Sequence, residues 1–242
     1  MCGIAGGVPR PNDTENDIRL GDIVVSNRNG VVQYDLVKEQ PDGSTEHRNP
    51  PRPPGAELLE AVRFLTAEEI LNHRPWERYL ANGIKMRREE GVRPPDNINA
   101  NGELISYSNN LGRQPGVPYV FHGTVATANK LLKNKEYRDY LAVKFNVMAI
   151  EMESSGIADA TWTTNRAGYL VVRGICDYCD ENKGNFWQGA AAIAAAAYVR
   201  ALIGSMHVDA SNIQSQEPLN STKENKKIQN DHYQISRHQQ LS

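Results

Sequence analysis

Three short stretches carry side chains suited to acid–base, ligand-binding or thiol chemistry: Glu151-Met152-Glu153, Cys176-Asp177-Tyr178-Cys179-Asp180, and His122-Gly123-Thr124. Both acidic stretches follow apolar runs without alternation, Val147-Met148-Ala149-Ile150 and Tyr169-Leu170-Val171-Val172. That is the pattern of strands covered on both faces. Ligands of open α/β sheets sit beyond the carboxyl ends of strands, so the two runs are expected to deliver their carboxylates to one edge. There a carboxylate can carry a proton or accept from paired hydroxyls. Taken alone, Asp177 and Asp180 read better as helix caps or solvated charges; together with Glu153 they read as a site. Glu151 reads as structural, Arg173 as the partner of a nearby carboxylate, and His122 as a satisfied histidine at a strand end. Cys176 and Cys179 fit C-x-x-C only formally, because a redox pair opens a helix inside a thioredoxin-like βαβ unit. Zinc would need a second ligand pair, and no metal is expected.

The elements that must position these residues follow from pattern. Gly174 marks a place where the backbone passes close to another element. Ser154 to Thr163 reads as a helix after the first acidic stretch, and Phe186 to Ile203, with its alanine run, as a helix able to lie close to a sheet. Pro118 to Thr124 reads as a strand and Val125 to Lys144 as a long helix with a stripe of Leu131, Leu132, Tyr140, Leu141 and Phe145. Met1 to Pro9 reads as the end of a buried strand turning through glycines. Residues 17–26 and 31–37 read as strands joined by an Asn29-Gly30 hairpin turn, hence antiparallel. Residues 40–54 read as surface connection. Helices are expected over 58–70 and 74–88, then an irregular insertion over 89–118. Beyond Gly204 the chain turns to Gln, Asn, Ser, Lys and His, so 205–242 is expected to be a disordered polar tail. Alternating strands and helices make the fold α/β with helices on both faces of the sheet.

With 39% hydrophobic and 23% charged residues in 242, residues 1–204 can bury one domain's core. A net charge of -2 argues against nucleic acid or acidic membranes as partners. Apolar runs fall short of the roughly 20 residues a membrane span needs, and no basic-then-apolar leader opens the chain. Three cysteines, Cys2, Cys176 and Cys179, are too sparse and odd a set for a disulfide framework, so a reducing, cytoplasmic location is expected.

Gly3-Ile4-Ala5-Gly6-Gly7, Leu20-Gly21-Asp22-Ile23-Val24-Val25, Gly123-Thr124-Val125-Ala126, Glu151-Met152-Glu153 and Arg173-Gly174-Ile175-Cys176-Asp177 resemble, in order, the motifs of the nucleoside phosphorylase superfamily. They are most similar to purine nucleosidase and phosphorylase domains fused to fungal and bacterial receptor-type proteins. The resemblance implies a three-layer αβα fold with a central mixed β-sheet. It also implies two or three further βα units, of about 30 residues each, ahead of Gly3, so the chain reads as N-terminally truncated. The implied activity is cleavage of the N-glycosidic bond of a purine nucleoside or nucleotide. No cofactor is implied, and phosphate enters only as a possible co-substrate.

By the same resemblance, Met152 and Glu153 lie under the ribose and Asp177 is the acid that protonates the departing purine. Ala126 and Thr127 fall where relatives stack on or hydrogen-bond the base, Ala126 being smaller than the usual aromatic. Trp187 falls where an aromatic covers the purine or the 5′ side; Cys176, Ile4, Ala5 and Gly6 complete the substrate-binding set. Ile4 replaces a small hydroxyl residue that holds phosphate or orients the nucleophile, which favours hydrolysis over phosphorolysis. A homo-oligomer is implied. The alternatives are a catalytically impaired nucleoside-binding or regulatory module and, more distantly, a redox protein.

Overall fold

The structure is a computed structural model that describes residues 1–13, 15–48, 52–87, 117–164, 168–181 and 184–206. The expected insertion over 89–118, but for its last two residues, and all but the first two residues of the expected tail lie outside the described residues. Strands β1 (Cys2–Gly7), β2 (Ile23–Gln33), β5 (Val120–Thr127), β6 (Val147–Glu151) and β7 (Val172–Asp177) form one sheet, and β3 (Val37–Glu39) and β4 (Thr45–His47) form a small hairpin. Helices are α1 (Ala56–Ile70), α2 (Glu77–Arg87), α3 (Lys135–Phe145), α4 (Ser154–Thr164) and α5 (Gln188–Ser205).

The sheet is mixed. β2, β5 and β6 run parallel to one another; β1 and β7 run parallel to each other and opposite to those three. It closes on itself in the order β1-β6-β5-β2-β7, because β1 pairs on both sides. Alternate residues of the strands serve two cores. Ile23, Val25, Val120 and Val172 pack outward on α1, α2 and α5, whereas Val24, Val125, Ala149 and Ile175 form the inner cluster, joined by Ala158 of α4. On another flank Ala126, Val147 and Ile150 meet Leu141 of α3. The expected α/β architecture with a mixed sheet between helices is what forms.

Four local expectations are corrected. Residues 23–33 are one strand, not a hairpin: β2 pairs parallel with β5 from Ile23 to Gln33, with a register shift between Ser26 and Val31. Gly30 has the positive φ of +65° that a hairpin turn would use, but spends it on an irregularity inside the strand. β5 runs on to Thr127, so the helix expected from Val125 begins only at Lys135, where the Asn134 side chain accepts a hydrogen bond from the Tyr137 amide at 2.7 Å. The surface connection of 40–54 contains β4. The last strand starts at Val172 and ends at Asp177 rather than spanning 169–172.

Gly174 behaves as expected. Its α-carbon faces the backbone of Ala191 in α5, and a Cβ there would collide with the Ala191 carbonyl oxygen. Backbone cannot yield as a flexible side chain does, so Gly174→Ala is expected to cost about 3 kcal/mol. Denaturant melting of the variant against wild type checks this; a loss below about 0.5 kcal/mol would show that α5 shifts freely.

Candidate functional site

The acidic turn after β6 is organised by one buried cation. Arg173, 2% exposed, lies across β1 at Gly3, where any Cβ would strike its guanidinium. From there Nη2 binds the Glu151 carboxylate and donates to Ser154 Oγ at 3.1 Å and Glu153 Oε2 at 3.3 Å. Glu151 also accepts from the amides of Glu153 and Ser154, both at 3.0 Å, which closes the first turn of α4. Burial alone would raise the Glu151 pKa. Arg173 and the two amides outweigh it and hold this carboxyl below its ordinary range. Glu153 moves the other way: burial first, then the neighbouring Glu151, push it up. Its side chain is 59% exposed, and Met152 beside it is also exposed. So the turn holds one tightly bound carboxylate and presents a second outward.

Asp177 ends β7 and is buried. Its Oδ1 accepts from the Cys179 amide at 2.9 Å and its Oδ2 from Cys176 Sγ at 3.2 Å. Gly6 lies directly against it, since a Cβ on Gly6 would sit 2.7 Å from Asp177 Oδ1. Cys176 Sγ is also 3.5 Å from the Ala5 carbonyl oxygen, so Ala5, Gly6, Cys176 and Asp177 form one group. Ile4 packs with Cys176, Trp187 and the start of α5. Trp187 is only 9% exposed and Phe186, 64% exposed, stands edge-on to it at 5.6 Å. The ring turned outward at this point is therefore Phe186, which the sequence reading passed over.

Strand direction decides how the two acidic groups meet. β6 is antiparallel to β1 and β7, so the carboxyl ends of β6 and β7 come from opposite directions and meet at Gly6 of β1, which pairs with Ile150 on one side and Asp177 on the other. Register puts Arg173 opposite Gly3, three residues back along β1 from Gly6, and its side chain reaches the Glu151–Glu153 turn from there. Thr127 pairs with Glu151 and Ala126 with Ile150, so Ala126 shares the level of Gly6 and Asp177. Ala126 is fully buried, in one cluster with Tyr34, Ile150 and Cys179. His122 lies within β5, its Nε2 3.2 Å from Thr66 Oγ1 of α1, as a satisfied histidine. Arg173 and Glu151 pair as their sequence reading held, while Ser154 and Gly3 were missed; a serine directly after two acids is an N-terminal helix signal that would have drawn attention to the first.

This is a closed α/β barrel in which two acidic groups flank a glycine-rich strand. A profile of the Phosphorylase superfamily matches residues 1–204, and the chain belongs to that family. It is 33% identical over 223 residues to a nucleotide-binding leucine-rich repeat (NLR)-like protein of Hyaloscypha variabilis, covering 84% of this chain and 21% of that one. It is 26% identical over 184 residues to a 5′-methylthioadenosine/S-adenosylhomocysteine nucleosidase of Mycobacterium bovis, covering 76% and 60%. The chain thus spans about a fifth and three-fifths of the length of these two relatives. Among solved structures, the same kind of nucleosidase from Neisseria meningitidis, in complex with methylthio-immucillin-A, superposes with a TM-score of 0.51 at 18% identity, over 84% of this chain and 68% of that one. Nucleosidases thus share this fold. Among the described residues no helix is long and apolar enough to cross a membrane, and no group of three or more potential metal ligands occurs.

Proposed function

We propose that this chain cleaves the N-glycosidic bond of a purine nucleoside or nucleotide, by hydrolysis rather than phosphorolysis. The observation that carries this reading is that the two acidic groups flank one strand: Ile150, next to Glu151, and Asp177 pair with the same Gly6 of β1 from opposite sides, and a nucleoside laid on that strand would meet the outward Glu153 and the buried Asp177. Glu153 accepts from the ribose hydroxyls above Met152, and Thr127 and Ala126 line the neighbouring strand. Ala5 and Gly6, without bulk, let the ligand approach the backbone. Cys176 and Trp187 close the side next to α5. As the bond between the anomeric carbon and the base breaks, negative charge gathers on the purine, and Asp177 hands a proton to its imidazole nitrogen. Water supplies the hydroxyl that ends on the anomeric carbon, and the proton it releases restores the acid form of Asp177. Ile4 brings packing instead of a hydroxyl, which leaves phosphate without that donor.

One observation favours a module that binds but does not turn over. Glu151, two residues before the ribose-binding Glu153, is tied to Arg173 and two amides and is not free to draw a proton from water. Incubation with adenosine, inosine, guanosine and adenine nucleotides, with and without phosphate, separates the readings. Free base in both buffers is expected. Base released only with phosphate overturns hydrolysis, and nucleoside bound without release establishes the module.

Glu153→Gln replaces a charged acceptor for two hydroxyls by a weaker one, so nucleoside affinity is expected to fall about tenfold. Calorimetric titration beside a melting curve checks it. Unchanged affinity in a normally folded variant removes Glu153 from the site.

A further inference from the structure

Away from both acidic groups, the β3–β4 hairpin and α3 enclose an open cleft of about 500 Å³ lined by Tyr34, Asp35, His47, Lys130, Tyr137 and Tyr140. That volume is in the range of small-ligand sites. Three polar atoms of its lining are buried without a hydrogen-bond partner: Tyr34 Oη, Asp35 Oδ1 and His47 Nδ1. Tyr34 is itself 1% exposed. Native proteins rarely leave such groups unmet. Asp35 spends only its other oxygen, accepting from the Asn129 amide at 2.8 Å.

What these atoms lack is a donor. Asp35 can only accept, and burial, then Lys144, hold the His47 pKa below its ordinary value, so this ring adds an acceptor rather than a charge at neutral pH. The ring faces want a cation, and one is already there. Lys130 Nζ stands 5.4 Å from the centroid of Tyr34 and 5.3 Å from that of Tyr137, with no carboxylate partner among the described residues. Lys144 sits likewise over Tyr140 and Phe145. An anion would meet Asp35 uncompensated at the cleft floor.

We propose that this cleft is a second ligand site, an aromatic cage for an amine- or guanidinium-bearing organic cation, which displaces Lys130 from the Tyr34 and Tyr137 faces and takes Asp35 as its counter-ion. Lys130 is the resting occupant. Its flexible stem lets the ammonium withdraw into water, and the incoming cation regains the ring contacts while supplying the donor that Asp35 and Tyr34 lack. Tyr34 also belongs to the cluster that holds Ala126, Ile150 and Cys179, so an occupied cage would press on the wall of the candidate site.

The sign of one substitution tests this. Lys130→Ala removes the internal competitor and is expected to tighten binding of agmatine or spermidine about threefold or more. Asp35→Asn keeps size and the acceptor for the Asn129 amide, and is expected to weaken it about tenfold. Tyr137→Ala is expected to weaken it similarly; melting curves exclude unfolding, and Asp35→Asn carries the test if that variant does not fold. An arginine-rich peptide binding in place of the free amines identifies a partner's side chain as the source of the same cation and supports the cage. Weaker binding by Lys130→Ala, or inorganic phosphate binding where no cation does, overturns it.

Discussion

Arg173→Met is expected to lower the stability of the folded chain by about 3–5 kcal/mol, because it leaves Glu151 buried and charged without its counter-ion. The guanidinium is 2% exposed and reaches Glu151, Glu153 and Ser154 together. Methionine fills much of the volume but returns none of the donors. The double variant Arg173→Met/Glu151→Gln removes the orphaned charge and should recover most of the loss, which distinguishes charge from packing. The pH dependence has a defined sign. Glu151 is held below its ordinary value of 4.5 in the folded state, so its contribution is complete above about pH 4.5. It is lost as pH falls through the depressed folded value. The gap between wild type and Arg173→Met should therefore narrow in acid, and urea melts at pH 7 and near pH 4 measure it. An equal gap at both pH values would show that the pair contributes no linked stability.

The same pair shows what a linear reading captures and where it stops. Apolar runs located β6 and the buried approach to β7, and the acids after them, since burial on both faces leaves a continuous hydrophobic signature. Direction leaves no such signature. Nothing local says that β6 runs against β1, and this sets the Glu151–Glu153 turn and Asp177 on opposite sides of one strand instead of along one edge. The Asn29-Gly30 pair was misread because a hairpin turn and a strand irregularity both use a residue at positive φ; pairing with β5, some 95 residues away, decides between them. Reading Val125-Ala126-Thr127 as a helix start goes against its own composition: two of the three are β-branched and favour strand, and β5 runs on through them. Trp187 and Ile4 were legible as types but not as packing, for α5 settles on both.

Asp177→Asn is expected to reduce turnover of purine nucleosides by about 10²- to 10⁴-fold. The change keeps size and leaves an amide oxygen to accept from the Cys179 amide, 2.9 Å from Asp177 Oδ1 in the native chain. The turn after β7 should therefore hold. What it removes is the transferable proton. Ground-state affinity for nucleoside should change far less than turnover, because the proton matters only as the base departs. A substrate whose base leaves readily without protonation supplies the internal control and should escape most of the loss. Packing offers a second check on the same acid. A Cβ at Gly6 would strike Cys179 Sγ first and the Asp177 carboxylate next, so Gly6→Ala moves the whole turn after β7 together with the acid and should depress turnover. Wild-type rates for Asp177→Asn on ordinary purine nucleosides would remove Asp177 as the proton donor and transfer that role to another acid, Asp180 being the nearest along the chain.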